Sequence, residues 1–133
     1  MIIEPLYVTD TNALYWYLSA DKRLSGSALA IFWAAKKGET QIVISAMVIA
    51  ELYWVNRKWK GIADFKLTYS RLKESAEFLV VPLEADDVLD FDRDLAIPEM
   101  HDRIIVGLAR RLNVPLITSD EIISNSGIVR ALW

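Results

Sequence analysis

The sequence predicts an α/β protein: a three-layer α/β/α sandwich with a central parallel sheet of four or five strands. Two observations support this prediction. Short runs rich in β-branched residues alternate with longer segments in which apolar residues recur at helical spacing. The chain of 133 residues is long enough for one hydrophobic core and contains no linker, repeat or low-complexity segment. We therefore expect a single domain over residues 1–133.

The first strand is predicted at residues 6–9 and ends at Asp10. The aromatic run that follows, residues 14–18, favours a short helix. Ser25 is suited to cap a second helix, because its hydroxyl accepts a backbone N–H of the first turn. Gly38 marks the end of that helix, since glycine readily adopts the left-handed conformation that terminates helices.

The second strand is predicted at residues 41–44, where β-branched residues are frequent. Ser45 stands where a cap is needed, and the helix after it reaches about Lys58. Gly61 then breaks the chain, and a further helix is expected at about residues 63–76.

The third strand is predicted at residues 78–81, followed by an acidic amphipathic helix at residues 84–95. The next helix carries Asp102 in its first turn and ends at Asn113, because Pro115 cannot continue it. The chain is completed by a strand at 114–118, a helical turn at 121–125 and a last apolar stretch at 128–133.

The net charge of −3 and the pI near 5.1 weigh against a general nucleic-acid binder, which is normally basic. A cluster of acids that holds divalent cations gives the same sign of charge. The chain has no cysteine, which excludes disulfides and thiolate metal sites. Its longest apolar run is too short to span a bilayer, and no signal-peptide pattern is present. We therefore expect a cytoplasmic protein with no membrane partner.

Four acids fall at one edge of the predicted sheet: Asp10, Glu51, Asp102 and Asp120. In an open parallel sheet the strand C-termini and the N-termini of the following helices share one edge, where ligands bind. Four carboxylates at that edge repel one another unless a multivalent cation holds them. Oxygen ligands without His or Cys favour Mg²⁺ or Mn²⁺.

Each of these acids also has an ordinary structural explanation. Asp10 and Asp120 are suited to cap the helices that follow them, and Asp102 to interact with a helix dipole. Glu51 lies on an apolar helix face, where a carboxylate is costly unless it is paired or binds a cation. For Glu51 the alternative to a metal site is an ion pair with a basic residue such as Arg103.

The four acids lie in four short blocks: V-T-D-T-N at residues 8–12, S-x-x-x-x-x-E at 45–51, H-D-R-I-I-V-G-L-A at 101–109 and L-I-T-S-D at 116–120. Together, and in this order, the blocks resemble the signature motifs of the PIN-domain ribonucleases. With the elements between them, the resemblance covers essentially the whole chain. The compact single-domain form is most similar to the VapC toxins of toxin–antitoxin pairs.

The resemblance implies a PIN-like fold in which the four acids are catalytic and bind one or two Mg²⁺ or Mn²⁺ ions. Asn12 and Thr118 would support the acids through hydrogen bonds, with Thr11 or Ser119 as further candidates. The implied reaction is metal-assisted hydrolysis of phosphodiester bonds in RNA. The implied partners are an RNA substrate, a cognate antitoxin and a second copy of the chain in a homodimer.

Other functions compete with a toxin. A PIN nuclease for RNA maturation has the same residues, and a small neighbouring reading frame for a DNA-binding antitoxin would separate the two. A non-catalytic PIN-like interaction module is disfavoured because all four acid positions are filled. A haloacid-dehalogenase-type phosphatase has a second acid two residues after the first, where this chain has Asn12. His101 adjoins Asp102, but the metal mechanism needs no histidine, and we expect a structural role for it.

Two further surfaces stand out. Residues 84–94 contain six acids against one arginine, and Asp86, Asp90 and Asp94 recur every four residues. This spacing favours a solvated helix face over a second cation site.

Residues 54–73 contain six basic residues against one acid, with Trp54 and Trp59 interleaved. Either an RNA-facing patch or a solvated helix pair with core tryptophans explains this pattern. The abundance of aromatic residues, Tyr15 and Tyr53 among them, predicts in addition an exposed apolar surface for a partner.

Overall fold

The computed structural model describes residues 3–133, so the first two residues of the predicted domain lie outside the described part. Its strands are β1 (Leu6–Thr9), β2 (Gln41–Ser45), β3 (Phe78–Val81), β4 (Leu116–Ile117) and β5 (Ala131–Leu132). They form one five-stranded sheet in the order β3-β2-β1-β4-β5. Every neighbouring pair is parallel, as the sequence predicts.

Six α-helices and one 3₁₀ helix connect these strands within residues 3–133. They are α1 (Thr11–Leu18), α2 (Gly26–Lys36), α3 (Ala46–Trp59), α4 (Phe65–Glu74), the 3₁₀ helix (Ala85–Asp94), α5 (Met100–Leu112) and α6 (Glu121–Ser126). In this part of the chain none of the helices has the length and apolar character needed to cross a bilayer.

The strand order changes direction at β1, and this change places the site. The chain moves one way from β1 through β2 to β3, then crosses back beyond β1 to β4 and continues to β5. Because such crossovers are right-handed, this path puts helices on both faces of the sheet and produces a three-layer sandwich. A crevice opens where the direction changes, beyond the carboxyl ends of β1 and β4, whose last residues Thr9 and Ile117 are paired.

The core lies under β1, β2 and β4. The side chains of Val8, Ile42, Ile44, Leu116 and Ile117 are fully buried. Each buried aliphatic side chain contributes about 1.5–3 kcal/mol to the free energy of unfolding. Because β1 and β4 are anchored in this core, they form a firm base for the side chains at the crevice.

Polar side chains fix where the helices begin and end. Ser25 and Ser45 cap α2 and α3 as predicted, accepting the N–H groups of Ala28 at 3.0 Å and Met47 at 3.1 Å. Asn113 ends α5 in the left-handed conformation, with φ 55°.

The predicted amphipathic α-helix at residues 84–95 is instead the 3₁₀ helix, and the prediction of a solvated acidic face is wrong for Asp94. Asp86 is exposed, but Asp94 is fully buried and accepts hydrogen bonds from Nε and Nη2 of Arg110 at 3.0 and 3.2 Å. Asp90 lies 3.4 Å from Nη1 of Arg111. The physical reason is that the basic last turn of α5 packs against this segment, and its three-residue period alters which acids share a face.

Candidate active site

One cavity of about 290 Å³ lies beyond the carboxyl ends of β1 and β4. The structure brings all four acids of the sequence motifs to its wall, although they come from four separate segments. The lining residues are Asp10, Thr11, Asn12, Glu51, Val55, Asp102, Ile105, Ser119, Asp120 and Ile123. Among the residues that lie along the described chain, no three His, Asp or Glu side chains form a compact ligand set for a metal ion.

Asp10 follows β1 directly and caps α1. Its Oδ1 accepts the backbone N–H of Ala13 at 2.8 Å. Thr118, which is fully buried at the end of β4, hydrogen-bonds the same carboxylate and accepts the N–H of Asp120 at 3.1 Å. Thr118 therefore links the acid after β1 to the acid after β4.

Glu51 lies in the second turn of α3, and polar side chains approach both of its oxygens. The hydroxyl of Thr11 donates to Oε1 at 2.6 Å. Nδ1 of His101 lies 3.4 Å from Oε2. The ion pair with Arg103 considered above is not formed, because Nε of Arg103 donates to the carbonyl oxygen of Ile97 instead.

Asp102 lies in the first turn of α5, where Glu99 is the N-cap. Oε2 of Glu99 accepts the backbone N–H of Asp102 at 2.8 Å, while Oε1 lies 3.5 Å from Nδ1 of His101. The cap fixes the start of α5 and hence the point at which Asp102 is presented to the cavity. Glu99 thus places a further negative charge beside the four acids.

Asp120 caps α6, accepting the N–H of Ile123 at 3.0 Å. The capping explanations for Asp10 and Asp120 are both correct as local structure, and they are compatible with a second role because a carboxylate has two oxygens. Asn12 is exposed at the mouth of the cavity, and Ser119 is exposed on its wall.

Burial and the repulsion between neighbouring carboxylates raise the pKa of two acids in the cavity wall. Burial raises the pKa of Asp10 from 3.8 to about 6, and the charges of Asp120 and Glu51 add to the rise against the opposing hydrogen bonds from Thr118 and Ala13. Burial also raises the pKa of Asp102 to about 6, with Glu99, Asp120, Glu51 and Asp10 contributing through their charges. The neighbouring acids therefore act on both Asp10 and Asp102, and such repulsion is the condition under which a bound cation is stabilising.

Two features of this site go beyond the sequence prediction. Thr11, a less certain candidate in the sequence, makes the shortest hydrogen bond to an acid in the cavity wall. Glu99 carries no sequence signal, because glutamate is not among the preferred N-cap residues. His101 contacts Glu51 and Glu99, and its expected structural role stays a prediction. The catalytic and metal-binding roles of the four acids stay predictions.

A family model for the PIN domain matches residues 7–127 of the chain. The protein belongs to the PIN domain family. The match spans all four acids, and it removes the phosphatase alternative. No curated protein is similar enough in sequence to give a significant match.

Solved structures agree with this PIN domain assignment. VapC20 from Mycobacterium tuberculosis, described as a sarcin–ricin loop cleaving toxin, has a TM-score of 0.70 at 19% identity, covering 94% of this chain and 97% of that one. VapBC2 from Rickettsia felis, bound to a DNA fragment from its promoter, has a TM-score of 0.68 at 17% identity, covering 96% and 98%. FitAcB from Neisseria gonorrhoeae has a TM-score of 0.65 at 13% identity, covering 96% of each chain. At such identities the likeness establishes the PIN fold.

Proposed function

We propose that this protein is a metal-dependent endoribonuclease and the toxin of a toxin–antitoxin pair. The observation that carries the proposal is the convergence of Asp10, Glu51, Asp102 and Asp120 on one cavity at the change of strand direction. Membership of the PIN domain family supports a nuclease. Burial and the charges of the neighbouring acids raise the pKa of Asp10 and of Asp102, so a positive charge in the cavity would be stabilising.

The donor set of this cavity fits one or two Mg²⁺ or Mn²⁺ ions. Its acidic groups are carboxylates, which are the ligands that these hard cations prefer. Mg²⁺ keeps several waters and needs only one or two carboxylates, so the wide spacing of the acids is compatible with it. When bound, such an ion makes a water more acidic and stabilises the negative charge that develops on phosphate oxygens.

The remaining side chains hold the acids in place. Thr118 and the N–H of Ala13 bind the carboxylate of Asp10, and the hydroxyl of Thr11 orients Glu51. Glu99 fixes the first turn of α5 and thereby the position of Asp102. With these contacts formed, all four acids line the cavity in which a cation and a phosphodiester would bind.

The proposed partners are supported by the structural similarity to VapC20 and VapBC2. VapC20 is described as cleaving the sarcin–ricin loop, which favours structured RNA as the substrate class. The VapBC2 structure is described as bound to a DNA fragment from its promoter, which favours an antitoxin that recognises DNA. We further propose that residues 1–133 form one PIN domain, that the protein acts in the cytoplasm and that it forms a homodimer.

The test is Mn²⁺-dependent cleavage of a structured RNA by the purified protein, compared with Asp10→Asn and Glu51→Gln. We expect the cleavage rate of each variant to fall at least about 100-fold. Replacing a residue that only supports a metal ligand typically costs about 10- to 100-fold in activity, and replacing a ligand itself should cost at least as much. Asp86→Asn, which changes an exposed acid outside the cavity, is the matched control and retains full activity. Equal rates for all four proteins would overturn the proposal.

A further inference from the structure

Helix α3 leads from the acid cavity onto an exposed aromatic and basic surface. We call this the α3 surface and define it by Tyr53, Trp54, Arg57, Lys58 and Lys60. Trp54 is 69% exposed and Tyr53 is 43% exposed, which is unusual for side chains of this size. Both are too exposed to belong to the core, so the interpretation of Trp54 as a core tryptophan is wrong. Trp59, also 59% exposed, extends the same end of the helix.

The α3 surface begins beside the cavity. Glu51 and Val55 line the cavity wall, and Trp54 lies three residues after Glu51 on the same helix. Side chains three or four positions apart are neighbours on a helix surface, so Trp54 lies next to Glu51, just outside the residues that line the cavity. Lys58 follows Trp54 by one further turn, on the side of the helix that carries Glu51 and Val55.

An aromatic row then continues away from the cavity. The rings of Trp54 and Tyr53 meet edge to face at 5.5 Å, and the rings of Tyr53 and Phe65 do so at 5.6 Å. Tyr53 and Phe65 line a second groove of about 500 Å³ together with Asn56, Arg57 and Lys60. Arg71, which the sequence groups with these cations, lies elsewhere and lines a separate cavity with Lys36 and Glu77.

The cations of the α3 surface are not held by carboxylates, although Nζ of Lys58 lies over the ring of Trp59, 5.1 Å from its centroid. None of the ion pairs formed within residues 3–133 involves Arg57, Lys58 or Lys60. By contrast, Arg110 and Arg111 are both engaged with acids of the 3₁₀ helix.

The charge of the substrate explains why such a surface borders an acid cavity. An RNA strand is repelled by the carboxylates, so its approach requires compensating positive charge nearby. Exposed aromatic faces interleaved with cations are the combination that binds single-stranded nucleic acid, through base stacking and phosphate contacts. Charge complementarity therefore favours RNA over a protein segment as the occupant.

We propose that an RNA strand leaving the acid cavity runs along α3, with one base stacked on Trp54 and its phosphates bound by Lys58, Arg57 and Lys60. The proposal rests on the proposed function and identifies the residues that hold the substrate beside the site of cleavage. Trp54 is a binding residue in this account, and the acids retain the chemistry.

The test measures RNA binding separately from cleavage. Fluorescence anisotropy of a labelled single-stranded oligonucleotide is recorded with the Asp10→Asn protein in Mg²⁺, and Trp54→Ala, Trp54→Phe and Lys58→Ala are added to that parent. Trp33→Ala and Lys37→Ala are the matched controls, because both side chains are exposed at α2, which does not line the cavity. The side chains replaced in addition to Asp10 all lie at the surface, so folding is expected to be preserved.

We expect Trp54→Ala to weaken binding about 5- to 100-fold, which corresponds to the loss of one stacked base, and Trp54→Phe to retain most of the affinity. Lys58→Ala is expected to reduce the slope of log K against log salt concentration by about 0.7. This is the value for one phosphate contact on a single strand. Both α2 variants should bind as the parent does.

Binding by Trp54→Ala within twofold of the parent would overturn this proposal and leave the α3 surface to a protein partner. Failure of the parent to bind RNA would overturn it as well. The proposed function is tested separately by cleavage with the unmodified protein. If the unmodified protein cleaves RNA but Trp54→Ala binds it normally, only the role of the α3 surface is overturned. If the protein binds RNA but shows no metal-dependent cleavage, only the proposed function is overturned.

Discussion

At the scale of single residues, the carboxylate of Asp10 combines two tasks that oppose each other. As the N-cap of α1 it stabilises the fold, because it accepts the N–H of Ala13. As a buried charge beside Asp120 and Glu51 it destabilises the metal-free protein, and its pKa rises to about 6. The cap is needed by the helix, whereas the negative charge is useful only when a cation is bound.

The pH dependence of stability follows from this shift. The pKa of Asp10 is higher in the folded protein, at about 6, than its ordinary value of 3.8. Its favourable contribution is therefore complete below pH 3.8 and is lost as the pH rises through 6. We expect Asp10→Asn to stabilise the metal-free protein at pH 7 by roughly 2 kcal/mol, since Asn is an equally good cap and the charge is removed.

Urea denaturation in EDTA at pH 4 and pH 7 measures this effect. The gain should be much smaller at pH 4, where the carboxyl is already protonated. Asp86→Asn, at an exposed position, should leave the stability at both pH values unchanged. A loss of stability in Asp10→Asn at pH 7 without metal would show that the repulsion in the cavity has been overstated.

A bound cation reverses this effect, because it stabilises the charged form of Asp10. Metal ions and protons compete for the same carboxylates, so affinity for Mn²⁺ should fall as the pH drops through about 6, where Asp10 and Asp102 take up protons. Calorimetric titration with Mn²⁺ at pH 7.5 and pH 5 checks this expectation. Affinity that does not change between the two pH values would mean that neither aspartate binds the ion.

At the scale of elements, the 3₁₀ helix is fastened to α5 by a buried ion pair. Breaking such a pair on one side typically costs 3–5 kcal/mol, because the remaining charge is left buried without a partner. We expect Asp94→Ala to lower the free energy of unfolding by about 3 kcal/mol, since Arg110 would lose both hydrogen bonds to that carboxylate and keep only its longer contact with Asp90, at 3.6 Å. Asp86→Ala, on the exposed side of the same 3₁₀ helix, should change it by less than about 0.5 kcal/mol.

Chemical denaturation of the two variants makes this comparison. Similar small changes in both would restore the view that residues 84–94 form a solvated acidic face. A double replacement of Asp94 and Arg110 by apolar residues should recover part of the loss, because no buried charge would then remain.

Gly61 provides a second test at this scale. The sequence suggested a chain break, and the structure adds a close approach between the segment after α3 and α1. The N–H of Gly61 donates to the hydroxyl of Tyr15 at 2.8 Å, and an added Cβ would lie 2.6 Å from that oxygen and 2.9 Å from Cβ of Ser19. We expect Gly61→Ala to cost about 1–3 kcal/mol in thermal unfolding experiments.

Gly26 is the matched control for this substitution. It begins α2, and a Cβ there would meet nothing within 4 Å. Gly26→Ala should therefore be neutral or slightly stabilising. Equal effects of the two substitutions would argue against close packing between the segment at Gly61 and α1.

The elements show which parts of the fold a sequence can predict. The strand at residues 78–81 and the caps at Ser25 and Ser45 follow from local patterns, and their positions were predicted correctly. The 3₁₀ geometry at residues 85–94 was not predicted, because the buried position of Asp94 depends on Arg110, which is far along the chain. Local periodicity carries no information about such a distant partner.

At the scale of the whole molecule, the change of strand direction at β1 assembles the cavity. The sequence motifs were sufficient to name the four acids and to predict that they share an edge of the sheet. Hydrogen bonds such as Thr11 to Glu51, which join α1 to α3, required the actual packing of the two helices. The exposure of Trp54 also could not be predicted, since an aromatic residue on an apolar-rich helix is as readily buried as exposed.

The central claim is that Asp10, Glu51, Asp102 and Asp120 hold a divalent cation in this cavity. Anomalous diffraction at the manganese edge, from crystals equilibrated with Mn²⁺, tests it most directly. We predict an anomalous peak within the cavity, at coordination distance from carboxylate oxygens of these acids, that is lost in crystals of Asp10→Asn. An active preparation whose Mn²⁺-saturated crystals show no peak in the cavity would contradict the claim.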